Sequence, residues 1–205
     1  MIAIINYGVG NLFSLVGSLE HLGIDAVVTS DPETIKKADR IILPGVGAFS
    51  DAKKKLEETG LIPVLDEEVR NGKPLLGICL GMQMLFEKSY EYGEHKGLGY
   101  IKGSVCPLNE DISSDLKVPH IGWNKLIIKD SSNPMLRYTK EGDYVYYVHS
   151  FYAKDCEESL VAYSEYGTEV PGLVCSNNVF GAQFHPEKSG QVGLDMLKAF
   201  NEVTA

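Results

Sequence analysis

The chain has no closely spaced cysteines. Its four, Cys79, Cys106, Cys156 and Cys175, form no C-x-x-C pair, which excludes zinc-knuckle spacing and the dense disulfide frame of a small secreted domain. Reduced thiols in a cytoplasmic protein are the expectation. A basic excess is missing too: 19 Lys and Arg against 28 Asp and Glu give a formal net charge of −9, so the basic face that a phosphate-backbone binder needs is not expected, nor is nucleic acid as a partner. No apolar run approaches a membrane span, and the stretch from Met1 to Asn6 lacks a basic region and stops at Gly8, so neither insertion nor export is expected. Internal repeats, low-complexity tracts and linkers are likewise absent.

The chain has 205 residues of ordinary apolar content. It reads as a single domain, 1–205, that buries about 70 per cent of its unfolded surface. The first half alternates short β-rich runs with helical stretches: Ile2 to Ile5 then Leu12 to Leu22, Ile24 to Thr29 then Pro32 to Lys37, Arg40 to Leu43 then Phe49 to Asn71, Pro74 to Ile78 then Leu80 to Glu87. Such alternation predicts parallel βαβ units. Runs such as Ile41-Ile42-Leu43 are apolar without alternation, as strands covered on both faces are. The fold class expected is α/β, a doubly wound, mostly parallel sheet flanked by helices. From Tyr100 onward, Tyr, Val and Ile runs at Lys125 to Lys129, Tyr144 to Phe151, Leu160 to Tyr163 and Leu173 to Phe184 predict additional antiparallel strands. An amphipathic helix over Gln191 to Val203 carries Val192, Met196, Leu197 and Phe200 on one face.

Two fragments carry chemistry. In Gly77-Ile78-Cys79-Leu80-Gly81 a cysteine stands between glycines after an apolar run, and far downstream the chain reads Phe184-His185-Pro186-Glu187. A sharp strand-to-helix turn needs flanking residues without side chains, and the helix that follows favours the thiolate at its partly positive N-terminus. Alone, Cys79 reads as a small buried hydrophobe and His185 as a structural histidine. Together with Glu187 they supply a nucleophile, a base and an orienting carboxylate, since Pro186 biases His185 to extended backbone and residues i and i+2 then share a side. Acyl chemistry also needs N–H donors for an oxyanion; the loop Pro44-Gly45-Val46-Gly47, otherwise a plain βα turn, can provide one beside Leu80.

Gly8-Val9-Gly10 and Gly45-Val46-Gly47 suggest a dinucleotide fingerprint, but Phe13 and Ser50 stand where its third glycine belongs, although Asp31 lies near the expected acidic position. No P-loop lysine is present. Lys53-Lys54-Lys55, followed by Glu57 and Glu58, reads as a solvated helix face. His21 and His95 read as surface residues, and neither a metal nor a cofactor is implied.

The segment from Gly77 to Gly81 with Met82-Gln83, taken with Phe184 to Glu187, resembles the class I, triad-type glutamine amidotransferases. Within them, Asn6-Tyr7-Gly8-Val9-Gly10-Asn11, Pro44 to Phe49 and Val118-Pro119-His120-Ile121-Gly122-Trp123-Asn124 are similar to the glutaminase subunits of imidazole glycerol phosphate synthases. The resemblance implies glutamine as substrate, Cys79 as nucleophile, His185 as acid and base, Glu187 as its orienter, an oxyanion hole at Val46, Gly47 and Leu80, and substrate contacts at Gln83, His149, Ser150 and Phe151. It also implies a heterodimer with a (βα)₈-barrel cyclase that uses the ammonia to make imidazole glycerol phosphate and AICAR in histidine biosynthesis. Asn11, Trp123, Tyr144 and Lys188 would lie near that partner. About 250 residues are typical of a barrel, so the cyclase is expected on another chain, and an end at Ala205 fits a two-subunit arrangement. A glutaminase serving another ammonia-channelling synthase, such as that of pyridoxal phosphate, anthranilate or guanylate, keeps the triad and changes the acceptor. A flavodoxin-like binding module would leave Cys79 redox-sensing or structural, with a nucleotide at the glycine loops.

Overall fold

The computed structural model describes residues 1–204. In chain order the elements are β1 (Ile2–Ile5), α1 (Leu12–His21), β2 (Ala26–Thr29), α2 (Pro32–Lys37), β3 (Arg40–Gly45), α3 (Phe49–Glu58), α4 (Ile62–Arg70), β4 (Leu75–Cys79), α5 (Leu80–Met84), β5 (Phe86–Ser89), β6 (His95–Lys96) and β7 (Ile101–Pro107). There follow β8 (His120–Lys125), β9 (Ile127–Ile128), β10 (Tyr144–His149), β11 (Phe151–Lys154), β12 (Leu160–Glu165), β13 (Glu169–Ser176), β14 (Val179–Ala182) and α6 (Gly190–Glu202). Among the described residues no helix is long and apolar enough to cross a membrane.

The main sheet has the order β2-β1-β3-β4-β14-β13-β12-β9. It is parallel from β2 to β14 and antiparallel beyond. Successive side chains of a strand point to opposite faces, and β1, β4 and β14 are buried throughout. One face packs Ile2, Ile4, Ile42 and Phe180 against Leu15 and Leu19 of α1 and Met196, Leu197 and Phe200 of α6. The opposite face packs Ala3, Ile5, Ile41 and Leu43 against Ile35, Phe49, Leu56 and Leu65 of α2, α3 and α4. This is the doubly wound arrangement expected from the βαβ pattern. Beside it lie an antiparallel ribbon, β8 with β10, and a four-stranded sheet, β11-β7-β5-β6.

Two expected helices differ in the structure. The stretch from Phe49 to Asn71 is broken at Gly60, which takes φ of +69° and donates its N–H to Glu57 O at 3.0 Å. A left-handed glycine closes a helix, and Pro63, lacking an N–H, suits the first turn of the next one. The helix expected to reach Glu87 ends at Met84 because the chain returning at residues 98–101 captures its carbonyls. Leu98 donates to Met84 O and Tyr100 to Leu85 O, both at 2.8 Å, and Phe86 onward joins β7 as a strand. The expected strand from Lys125 to Lys129 is also displaced, since β8 begins at His120 and only Ile127–Ile128 joins the main sheet.

The carboxyl ends of β3, β4 and β14 come together in register, with Gly45 opposite Cys79 and Ala182 opposite Ile78. Ligand sites of open α/β sheets lie at such ends. The turn after β4 is crowded by backbone. A Cβ on Gly77 would stand 2.7 Å from Gly81 O and Met82 N, and one on Gly81 would collide with Leu43 O. Gly81→Ala is therefore expected to cost about 3 kcal/mol or more in urea unfolding, as overpacking against backbone does. Gly17→Ala, in α1 with open space around it, is expected to gain about 0.5–1 kcal/mol.

Candidate active site

Cys79 ends β4 with φ of 55° and ψ of −111°, a backbone region that L residues seldom occupy and that functional sites retain. The buried turn presents its sulfur to a pocket of about 430 Å³, within the range of small-ligand sites. Val46, Gly47, Leu80, Gln83, His149, Ser150, Phe151, His185 and Lys188 share the lining with Cys79. Gly47 takes φ of +90° with no atom near where a Cβ would be, so backbone conformation, and not space, calls for glycine there.

His185 follows β14 in an extended conformation, its N–H donating to Tyr146 O at 3.0 Å. Its Nδ1 lies 2.8 Å from Glu187 Oε1, and both side chains are 2 % exposed. The carboxylate reaches the ring through a short 3₁₀ turn at Pro186–Lys188 rather than along fully extended chain. Because a carboxylate only accepts, Nδ1 carries the proton and Nε2 is left for the Cys79 side. Burial alone pushes the imidazole down, but hydrogen bonding and charge from Cys79 and Glu187 outweigh it and hold His185 raised, at about 9. An imidazolium beside sulfur, with an N–H-bearing turn next to both, can run nucleophilic acyl transfer.

Asn11 is drawn to the back of this pair, Nδ2 donating to Glu187 Oε1 at 3.2 Å. Trp123 and Tyr144 stand apart from the pocket, each 55 % exposed on the outer face of the β8–β10 ribbon. Trp123 meets Tyr146 edge to face at 5.9 Å, and Lys188 lies over that same ring at 6.0 Å. A continuous strip thus links the exposed ribbon to the pocket rim.

Sequence reasoning passed over several residues at and around the pocket. Glu91 and Tyr92 also line the pocket; burial pushes the Glu91 carboxyl up, against the Phe49 N–H it accepts. Gln183 is fully buried, accepts from Gln83 Nε2 at 3.0 Å and donates to Cys79 Sγ at 3.9 Å. Tyr7 donates to Pro44 O at 2.6 Å, and burial, then the Cys79 charge, raises its phenol. Gln183 stands two residues before His185, a proximity that offered a signal; Glu91 sits in a polar loop with none.

The class-I glutamine amidotransferase family matches residues 3–203. Among curated proteins, imidazole glycerol phosphate synthase subunit HisH of Caldanaerobacter subterraneus subsp. tengcongensis is 50% identical over 204 residues, 99% of this chain and 98% of that protein. The same-named subunit of Listeria monocytogenes is 50% identical across 100% of this chain and 96% of that one. A solved glutamine amidotransferase aligns with a TM-score of 0.75 at 19% identity, covering 98% of this chain and 100% of its own, a likeness of fold. With family and relatives matched along almost the whole length, the chain belongs to the class-I glutamine amidotransferases, in the group of imidazole glycerol phosphate synthase HisH subunits.

Proposed function

We propose that this chain, as one amidotransferase domain, is the glutaminase subunit of an imidazole glycerol phosphate synthase, hydrolysing glutamine and passing ammonia to a (βα)₈-barrel cyclase subunit in histidine biosynthesis. The observation that carries the reading is the meeting of Cys79, His185 and Glu187 at one pocket in a chain 50% identical to HisH subunits. Cys79 sulfur attacks the side-chain amide carbon of glutamine. N–H groups at Val46, Gly47 and Leu80 receive the oxyanion. The carbon–nitrogen bond breaks as His185 gives its proton to the departing ammonia, leaving a thioester. His185 then takes a proton from water, which attacks the thioester and returns the thiolate.

Glutamine's polar ends need opposite partners. Lys188, and the Glu91 carboxyl where it is ionised, offer both signs at the pocket lining, beside backbone at Ser150 and Phe151. The exposed face with Trp123 and Tyr144, continuous with Lys188, supports partner docking beside the pocket, where released ammonia stays out of solvent. Reaction in the cytoplasm accords with the reduced thiols.

Glutamate release tests this assignment directly. Hydrolysis by the chain with a barrel cyclase and its ribonucleotide ligand is expected to exceed that of the chain alone strongly and to vanish in Cys79→Ala; brisk hydrolysis without a partner would instead mark a free-standing amidohydrolase.

His185 titration follows from its environment. Raised above the ordinary 6.5, it contributes stability in full below about pH 6.5 and loses it as pH rises through about 9. A histidine proton resonance titrating near pH 9 is expected, moving down in Cys79→Ala, with turnover declining above that pH. A midpoint unmoved by the substitution would contradict the Cys79–His185 coupling.

Gly47 allows the loop to rotate a peptide N–H into the oxyanion position when the partner docks. Gly47→Val is expected to cut stimulated turnover about a hundred-fold, the effect of one lost oxyanion donor, with a much smaller change in glutamine affinity; equal effects on both would refute the rotation.

A further inference from the structure

The ribbon carries a pair of histidines that the triad does not use. His120 and His149 face each other across β8 and β10, and strand alternation turns both inward, opposite the face that exposes Trp123 and Tyr144. His120 is clamped between the rings of Tyr147, at 4.7 Å, and Tyr166, at 4.0 Å. Its Nδ1 lies 3.0 Å from His149 Nε2, and His149 Nδ1 lies 2.9 Å from Phe151 O.

With both rings neutral, donor accounting assigns every proton in this row. A backbone carbonyl only accepts, so His149 Nδ1 holds a hydrogen. In the neutral ring Nε2 must then accept, and His120 Nδ1 must donate to it. That leaves His120 Nε2 as an acceptor facing Asn124 Nδ2 at 3.5 Å. Asn124 has its own anchor, donating to Glu165 O of β12 at 2.9 Å. Burial, the first cause for each, lowers His120 to about 4 and His149 to about 3, with His120 and His185 adding to the depression of His149.

The row ends on a carbonyl that matters. Phe151 pairs with Pro107 of β7, while Leu108 N–H donates to the neighbouring Ser150 O at 2.9 Å. In an antiparallel ladder this places Phe151 in a non-hydrogen-bonded pair, whose own N–H and C=O turn away from the partner strand. On that side the carbonyl receives His149 and also Gln83 Nε2, at 2.9 Å. The Phe151 N–H leaves the strand on that same edge, and Phe151 is one of the residues lining the pocket.

We propose that His120 and His149 are positioning residues: a proton-ordered pair of neutral histidines that, through the Phe151 carbonyl, aims the Phe151 N–H at the bound amino acid and ties that donor to the ribbon carrying Trp123. The proposal rests on the pocket being the glutamine site. From Phe151 the connection continues through Gln83 and Gln183 to Cys79 Sγ, which also lies 3.9 Å from Val148 O of β10, so a shift of the ribbon reaches both the substrate-holding edge and the sulfur.

Two measurements test it. Nitrogen-15 NMR of the intact chain at pH 7 is expected to show both rings neutral with the proton on Nδ1; a doubly protonated ring or an Nε2–H tautomer at either histidine overturns the pairing. This readout needs no glutamine, so it stands apart from the glutaminase assignment, which wild-type hydrolysis in the complex decides. In that complex, His120→Phe, which keeps a stacked ring and deletes the donor, is expected to raise the KM for glutamine about ten-fold, as loss of one ground-state hydrogen bond does, with kcat within about two-fold. His120→Asn, whose amide nitrogen replaces Nδ1, is expected to restore most of the KM. An unchanged KM in His120→Phe, a loss confined to kcat, or no rescue by Asn refutes the positioning role.

Discussion

The carbonyl of Leu43 lies where any side chain at position 81 would have to go, and the backbone of residues 81 and 82 crowds position 77, 2.7 Å from where its Cβ would be. This crowding between β3, β4 and the first turn of α5 is the constraint on which the site depends. It forces glycine on both sides of Cys79 and leaves the cysteine in a left-handed conformation that only surrounding packing sustains. Leu75, Leu76 and Met82, all fully buried, hold the strand and helix that meet there. The core therefore fixes where the sulfur stands, and side-chain chemistry decides only what it does.

Around that sulfur, histidines are kept in opposite charge states by different surroundings. His185 is buried with a carboxylate and a thiol and stays cationic to about 9, whereas His149 hydrogen-bonds another imidazole and a carbonyl, with the His185 charge nearby, and burial first of all holds it at about 3. Burial opposes the charged form in both cases; the partner sets the outcome. A cationic and a neutral imidazole thus line one pocket.

The doubly wound, mostly parallel sheet was readable because parallel strands buried on both faces write themselves as unbroken apolar runs, as at Ile41 to Leu43. The elbow and the His185–Glu187 pair were readable because local sterics and short spacing determine them. The ends of α3 and α5 were not, since a glycine at 60 and a carbonyl capture by residues 98–101 depend on where the chain goes next. The inward row of His120, Asn124 and His149 was hidden for a similar reason. His120 and His149 lie 29 residues apart and meet only through cross-strand register, which no local pattern encodes. Glu91 reaches the pocket by a loop from a separate sheet, again a tertiary accident of the trace.

The parallel register of β3, β4 and β14 also makes the sheet a ruler. Neighbouring strands lie about 4.8 Å apart, so the Pro44–Gly47 loop, Cys79 and His185 leave the sheet at intervals set by backbone hydrogen bonding. Side-chain replacement cannot stretch those intervals. Drift in sequence can reshape the pocket walls and the exposed ribbon face freely, while the separation of the loop, Cys79 and His185 is inherited as a property of the sheet itself.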